Sequence, residues 1–117
     1  MQPVQAVPFD RDEMLERLGG DNELLTDVLG VFLEECPRMM QEIEDALNAA
    51  DAMLVRRSAH SIKGALLNIS AGPAAEEAKQ LEMLGDEDRL TDGAPVLQRL
   101  QTEIGRLQQV LAEQPAS

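Results

Sequence analysis

The chemistry that this sequence can support centres on its single histidine, His60, in the stretch AHSIKG. If this stretch is helical, Arg56 and Arg57 lie one turn before His60. Lys63 and Gly64 lie one turn after it. An imidazole nitrogen is a nucleophile near neutral pH because a good fraction of it is unprotonated. The cations can neutralise phosphate oxygens, and the glycine leaves room beside the ring, so these residues predict a site that accepts a phosphoryl group.

The helix predicted over residues 51–71, which Asp51 caps, must hold His60 on its outer face. Its apolar residues recur at spacings of three and four and form one stripe: Ala52, Val55, Ala59, Ile62, Leu66 and Ile69. At the helical advance per residue, His60 points about 130° away from the centre of that stripe, toward solvent. Met53 and Leu67 lie seven residues before and after His60, and exposed apolar residues in that position indicate a docking surface. The alternatives are an unreactive surface histidine and two apolar residues packed on a neighbouring helix.

Two helices are predicted before this one. A short helix is capped by Asp10 and ends at Gly19-Gly20. Asp21 caps a long second helix. Its apolar residues alternate at spacings of four and three: Leu25, Leu29, Phe32, Cys36, Met39, Ile43, Ala46 and Ala50. Pro37 lies inside this helix, and we expect a kink rather than a break because the stripe stays in phase on both sides.

Two more helices are predicted after the histidine helix. The first begins at Pro73 and ends at Gly85, with Ala74, Ala78, Leu81 and Leu84 inward. A charged loop over residues 85–90 leads to the last helix, which Asp92 caps. The apolar stripe of that helix is Leu97, Leu100, Ile104, Leu107 and Leu111.

These elements predict an all-α fold, an antiparallel up-down-up-down four-helix bundle with a short extra N-terminal helix. The bundle occupies residues 9–113, residues 1–8 form an N-terminal tail or linker, and residues 114–117 form a C-terminal tail. Short loops favour a monomer that folds back on itself. A helical dimerisation domain, in which the stripes pair between chains, is the alternative.

Composition excludes several classes of function. The formal net charge is −12, with 22 acidic and 10 basic residues, which argues against binding nucleic acid or an anionic membrane surface. No apolar stretch is long enough to span a membrane. Cys36 is the only cysteine, so it can form no intramolecular disulfide. One cysteine and one histidine are too few ligands for a metal site. Cys36 is expected in the core. These features predict a cytoplasmic chain with no metal site.

Nucleotide-binding and hydrolytic sites find no support in the sequence. It contains neither a phosphate-binding G-x-x-x-x-G-K-[ST] loop nor a G-x-G-x-x-G turn after a strand. A solvent-facing histidine on a thin bundle lacks the pocket that a hydrolytic nucleophile requires. Paired carboxylates such as Glu34-Glu35 and Glu76-Glu77 are interpreted as solvated faces. His60 is therefore the remaining candidate for chemistry.

The run AHSIKG followed by NISA resembles the signature of the histidine-containing phosphotransfer (HPt) domain of bacterial two-component phosphorelays. The likeness extends from about Phe9 to Leu111 and includes the Gly-Gly stop and the proline inside the second helix. It implies that His60 accepts a phosphoryl group from a receiver aspartyl-phosphate and passes it to another receiver aspartate. The implied partners are response-regulator receiver domains, a hybrid sensor histidine kinase, or both. The setting is the cytoplasm, including the cytoplasmic part of a membrane-bound kinase.

The resemblance also implies roles for individual residues. Lys63 matches the lysine on the phosphate side, and Gly64 matches the small neighbour of the motif. Glu82 matches a position that in relatives holds a Glu or Gln hydrogen-bonding the imidazole. A carboxylate on one ring nitrogen fixes the tautomer and leaves the other nitrogen free to attack. The family has no ATP site and no cofactor of its own, and the receiver supplies Mg²⁺.

Two departures from the family pattern accompany these matches. Leu66-Leu67 stands where many relatives have small residues, and the bulk of Leu67 could narrow the choice of partner. Ser70 stands where glycine is common and bears on how the helix ends. A different class of function stays open: a helical adaptor that binds a kinase or receiver while His60 remains unphosphorylated.

Overall fold

The computed structural model describes residues 7–113, and every regular element in that range is helical. The elements are α1 (Arg11–Arg17), α2 (Asn22–Asn48), α3 (Ala52–Asn68), α4 (Gly72–Asp86), a 3₁₀ turn (Leu90–Asp92) and α5 (Gly93–Ala112). The prediction of an all-helical chain with a short N-terminal helix is confirmed. Most of the two predicted tails, residues 1–6 and 114–117, lies outside the described residues.

Helix α3, which bears the histidine, packs against both α2 and α4. This helix contacts α4 most extensively and α2 on its other side, while α5 contacts both α4 and α2. Short turns join successive helices, so each runs antiparallel to the one before it. The core is aliphatic at its centre, where Ile43, Ile62, Leu66, Leu81 and Leu100 are fully buried. Burial of this one apolar face per helix is what stabilises the bundle.

Three of the four predicted aspartate caps are confirmed. The side chains of Asp10, Asp21 and Asp51 each accept a hydrogen bond from the backbone N–H three residues later. Asp92 precedes α5, which begins at Gly93, but it makes no such bond; its carboxylate instead accepts a hydrogen bond from Arg89. The buried stripe of α5 includes Val96, which the prediction left out, whereas the predicted Leu97 is only partly buried.

Helix α2 runs unbroken through Pro37, as its in-phase stripe predicted. Proline removes the hydrogen bond to the carbonyl of Leu33, but that residue is 38% exposed and water can reach the region. Ala50 does not belong to the stripe. It lies beyond the helix end with φ at 52° and is exposed.

Gly85 does not end α4, contrary to the sequence-based prediction. It is buried inside the helix, which continues to Asp86. A Cβ on Gly85 would lie 2.7 Å from the backbone nitrogen of Arg56 and 2.8 Å from the carbonyl oxygen of Ala52. The glycine therefore allows the α3 and α4 backbones to touch, one turn from Glu82.

Helix α1 closes the C-terminal end of α3. Nη2 of Arg17 lies within hydrogen-bonding distance of the carbonyl oxygens of Leu67 (2.9 Å) and Asn68 (2.8 Å). The same nitrogen lies 2.9 Å from Oγ of Ser70, and the backbone N–H of Asp10 donates to the carbonyl of Ser70. Ser70 adopts φ at 57°, the left-handed conformation that favours glycine at a helix end. The departure from the family pattern at Ser70 thus coincides with a contact to α1.

Candidate functional site

His60 lies on the outer face of α3, as the periodicity predicted. Its side chain is 68% exposed, whereas Ala59 and Ile62, its neighbours on the apolar stripe, are fully buried. The ring is therefore accessible to another molecule without any rearrangement of the core.

A carboxylate from α4 contacts both the imidazole and the lysine. Oε2 of Glu82 lies 2.7 Å from Nδ1 of His60. Its other oxygen, Oε1, accepts a hydrogen bond of 2.5 Å from Nζ of Lys63. The side chains of Glu82 and Lys63 are only 19% and 23% exposed. Glu82 thus joins two residues of α3 through one partly buried group.

Two opposing effects act on the pKa of Glu82. Partial burial by itself raises the pKa, because it disfavours the charged carboxylate. The hydrogen bonds from Lys63 and His60, together with the positive charge of the lysine, outweigh burial and leave the pKa below its ordinary value. Glu82 is therefore ionised at neutral pH and can act only as an acceptor.

The ionised carboxylate determines which nitrogen of His60 is free. Since Glu82 can only accept, Nδ1 of His60 must carry the proton that joins them. Among the hydrogen bonds of residues 7–113, none involves Nε2 of His60. In the neutral ring Nε2 therefore presents its lone pair to solvent, as a nucleophilic nitrogen requires.

Gly64 leaves open space next to the ring. It is exposed, and a Cβ added there would meet no heavy atom within 4 Å. The fold itself therefore does not require glycine at this position, in contrast to Gly85. The space remains available to a group that approaches His60 from outside.

Exposed apolar side chains lie along α3 on either side of His60. Met53 is 64% exposed and Leu67 is 51% exposed, so the alternative that both are packed on a neighbouring helix is wrong. Leu67 also borders a groove of about 440 Å³ between α3 and α4. The groove is lined by Lys63, Leu67, Gly72, Ala75, Glu76 and Lys79.

The cations near His60 differ in their partners. Lys63 is bound to Glu82, a contact that the sequence alone did not indicate. Arg56 and Arg57 are exposed and form no ion pair with any residue of 7–113. Lys79 was not predicted. Its signal was its position on α4, three residues before Glu82 and close to the same helix face.

Cys36 and the acidic side chains offer no second site of this kind. Cys36 is buried in the core as predicted, and burial raises the pKa of its thiol. Over residues 7–113, no group of three or more His, Cys, Asp or Glu side chains could hold a metal ion. In the same range no helix has the length and apolar character needed to cross a bilayer.

Comparisons with known proteins agree with this fold. The family model of the Hpt domain matches residues 27–110. The fold is similar to the crystal structure of histidine-containing phosphotransfer protein B (HptB) from Pseudomonas aeruginosa PAO1, with a TM-score of 0.84 and 24% sequence identity. That similarity covers 93% of this chain and 95% of the other. None of the curated protein sequences is a significant match.

Proposed function

This chain belongs to the Hpt domain family, the phosphotransfer domains of phosphorelays, and on that premise we propose that His60 carries the phosphoryl group. The donor is an aspartyl-phosphate of one receiver domain, and the acceptor is an aspartate of another. The observation that supports this assignment is the 2.7 Å contact between Glu82 and Nδ1 of His60, which leaves Nε2 of an exposed ring free.

The proposed step is an in-line transfer at phosphorus. The lone pair of Nε2 forms a bond to phosphorus while the bond to the acyl oxygen breaks, so the donor aspartate leaves as a carboxylate. The ring keeps its Nδ1–H during this step and gains positive charge. Glu82, already ionised beside that N–H, stabilises the charge. Attack on the same phosphorus by the carboxylate of a second receiver reverses the bonds and restores neutral His60.

Lys63 is the cation proposed to balance the charge of the phosphoryl oxygens. Side chains on a helix lean toward its N-terminus, so Lys63, one turn after His60, leans toward the ring. Its ammonium group has three donors, and only one is needed for the bond to Glu82. We expect Mg²⁺ to be held by the receiver, and no cofactor to be held by this chain.

The proposed partners are receiver domains, either free or within a hybrid sensor histidine kinase. The exchange is proposed to occur in the cytoplasm, with this chain as a monomer. Gly64 and the exposed Met53 and Leu67 form the part of α3 proposed to contact the receiver. Sedimentation at an apparent mass near 12.8 kDa is the expected result, and a stable dimer would contradict the monomer.

The test is incubation of the purified chain with a panel of receiver domains from the same organism, each phosphorylated with a small phosphodonor. We expect a label on this chain that is stable in base and lost in acid, as a phosphorus–nitrogen bond requires. His60→Gln should abolish the label without loss of helicity. A label that survives in this variant, or binding of a phosphorylated receiver without any label, would contradict the proposal and favour the adaptor function.

A further inference from the structure

The basic side chains of this protein differ in whether another residue of the chain binds them. The chain has ten of them, all within residues 7–113. Five form ion pairs with carboxylates: Arg38, Lys63, Arg89, Arg99 and Arg106. Arg11 hydrogen-bonds the side chain of Asn22, and Arg17 binds the end of α3. The three that remain, Arg56, Arg57 and Lys79, form no ion pair within the described chain; we call them the cationic arc.

The cationic arc lies around the histidine site. Arg56 and Arg57 are exposed one turn before His60 on α3. Lys79 is exposed on α4 and lines the groove that Lys63 and Leu67 also line. In a chain with a net charge of −12, the three cations of residues 7–113 that have neither an ion pair nor a side-chain hydrogen bond therefore lie near the face that presents the imidazole.

The two arginines are poorly directed toward a phosphoryl group on His60. Because helical side chains lean toward the N-terminus, Arg56 and Arg57 lean away from the ring, whereas Lys63 leans toward it. The sequence-based expectation that these arginines hold the phosphate is thus less well supported than a role toward a second molecule. Met53, on the same outer face and 64% exposed, lies on the side toward which they lean.

We propose that the cationic arc steers and orients a receiver domain that presents acidic groups around its phosphorylated aspartate. This inference rests on the proposed function and identifies the charge that the partner must carry. Elsewhere the acidic surface of this chain repels such a partner, so the arc gives one attractive direction of approach. Long-range attraction of this kind raises the association rate and weakens as salt is added.

The experiment measures the second-order rate constant of phosphotransfer from the receiver that labels wild-type His60, at ionic strengths from low to high. The test variant is R56E/R57E, with R56Q/R57Q as a milder form and Lys79→Glu as a third. The control is R99E/R106E, which changes the net charge equally on α5, away from the groove. Circular dichroism verifies that each variant is folded.

We expect R56E/R57E to lower the rate constant about tenfold or more at low salt, with R56Q/R57Q intermediate. The difference from wild type should close at high ionic strength, and R99E/R106E should stay within about twofold of wild type at every salt concentration. Equal losses in test and control variants would overturn the proposal, and so would a loss that does not depend on salt. Absence of label in the wild type would instead contradict the proposed function, so the two failures are distinguishable.

Discussion

Glu82 and His60 are 22 residues apart on different helices, yet Oε2 of the carboxylate lies 2.7 Å from Nδ1 of the ring. The other carboxylate oxygen is bound to Lys63. A carboxylate has two acceptor oxygens and no donor when ionised, so it suits two neighbouring donors at once. The identity of this side chain therefore decides which imidazole nitrogen is free.

Glu82→Gln should slow phosphotransfer about tenfold, by analogy with the loss found when the hydrogen-bonding partner of a metal-ligating histidine is altered. Glutamine has one acceptor oxygen, which charged Lys63 should take, so its NH₂ group faces the ring. Nδ1 then becomes the acceptor, and the proton moves to Nε2, the nitrogen that must attack. Nitrogen-15 spectra of the imidazole should show this change of tautomer.

The control for this prediction is Glu44→Gln, which makes the same change at an exposed position of α2. It should alter neither the tautomer nor the rate. If Glu82→Gln slowed the transfer with Nε2 still unprotonated, the effect would have to come from lost charge instead of the tautomer.

The stability provided by Glu82 should depend on pH in a defined direction. Its pKa is lower in the folded chain than in the unfolded chain, where a glutamate carboxyl titrates at about 4.3. The contribution is thus complete above that value and is lost as pH falls through the folded-state pKa. Urea unfolding at pH 7 should show wild type more stable than Glu82→Gln by about 1 kcal/mol. The gap should narrow below about pH 4; a gap that widened there would contradict the assignment.

Local sequence patterns predicted the helices and the outward position of His60, but not the contact between Glu82 and Lys63. The caps at Asp10, Asp21 and Asp51 and the outward position of His60 follow from neighbours within one or two turns, which a sequence displays directly. The contact between Glu82 and Lys63 joins two helices, and no local rule indicates it. Only the family resemblance singled out Glu82.

Gly85 is a second position at which a local sequence pattern was not sufficient. Glycine after an apolar residue near a helix end is a common stop signal, and the sequence does not distinguish a stop from a close contact between two backbones. The contact with Arg56 depends on the distance between α3 and α4, a property of the assembled bundle. Lys79 was missed for a similar reason, because its neighbour Lys63 lies on another helix.

Gly64→Ala should raise the stability of the chain and slow phosphotransfer. A Cβ there meets nothing within 4 Å, so alanine should stabilise α3 by about 0.5–1 kcal/mol through its higher helix propensity. The same methyl group occupies the space beside His60, and transfer should slow about tenfold or more because the reacting groups are displaced. Gly105→Ala on α5, which is equally free of contacts, should raise the melting temperature similarly and leave the rate unchanged. Equal rates in both variants would show that the space beside His60 is not used.

Gly85→Ala should have the opposite effect on stability. Its Cβ would meet backbone atoms of Arg56 and Ala52 at 2.7 and 2.8 Å, and neither helix backbone can yield cheaply. Moving α4 away from α3 should cost about 1–3 kcal/mol of unfolding free energy, measured by urea denaturation. The same displacement separates Glu82 from His60, so the ring should lose its fixed tautomer in the nitrogen-15 spectrum. A variant as stable as Gly105→Ala would mean that the close approach of α3 and α4 is not required.

Arg17 and Ser70 should be coupled at the C-terminal end of α3. Arg17→Ala removes the guanidinium that lies against two carbonyl oxygens and Oγ of Ser70; water can replace part of this contact, so we expect a loss of about 1 kcal/mol. Ser70→Ala keeps the left-handed backbone at φ 57° and loses one bond, whereas Ser70→Gly loses the bond but relieves strain of about 1 kcal/mol. Ser70→Gly should therefore be close to wild type in stability and more stable than Ser70→Ala.

Hydrogen exchange at the amides of Ser70 and Ala71, which bond to carbonyls of α3, should accelerate in Arg17→Ala while exchange in α5 is unchanged. Additive effects in the Arg17/Ser70 double-mutant cycle would show that the two side chains act independently.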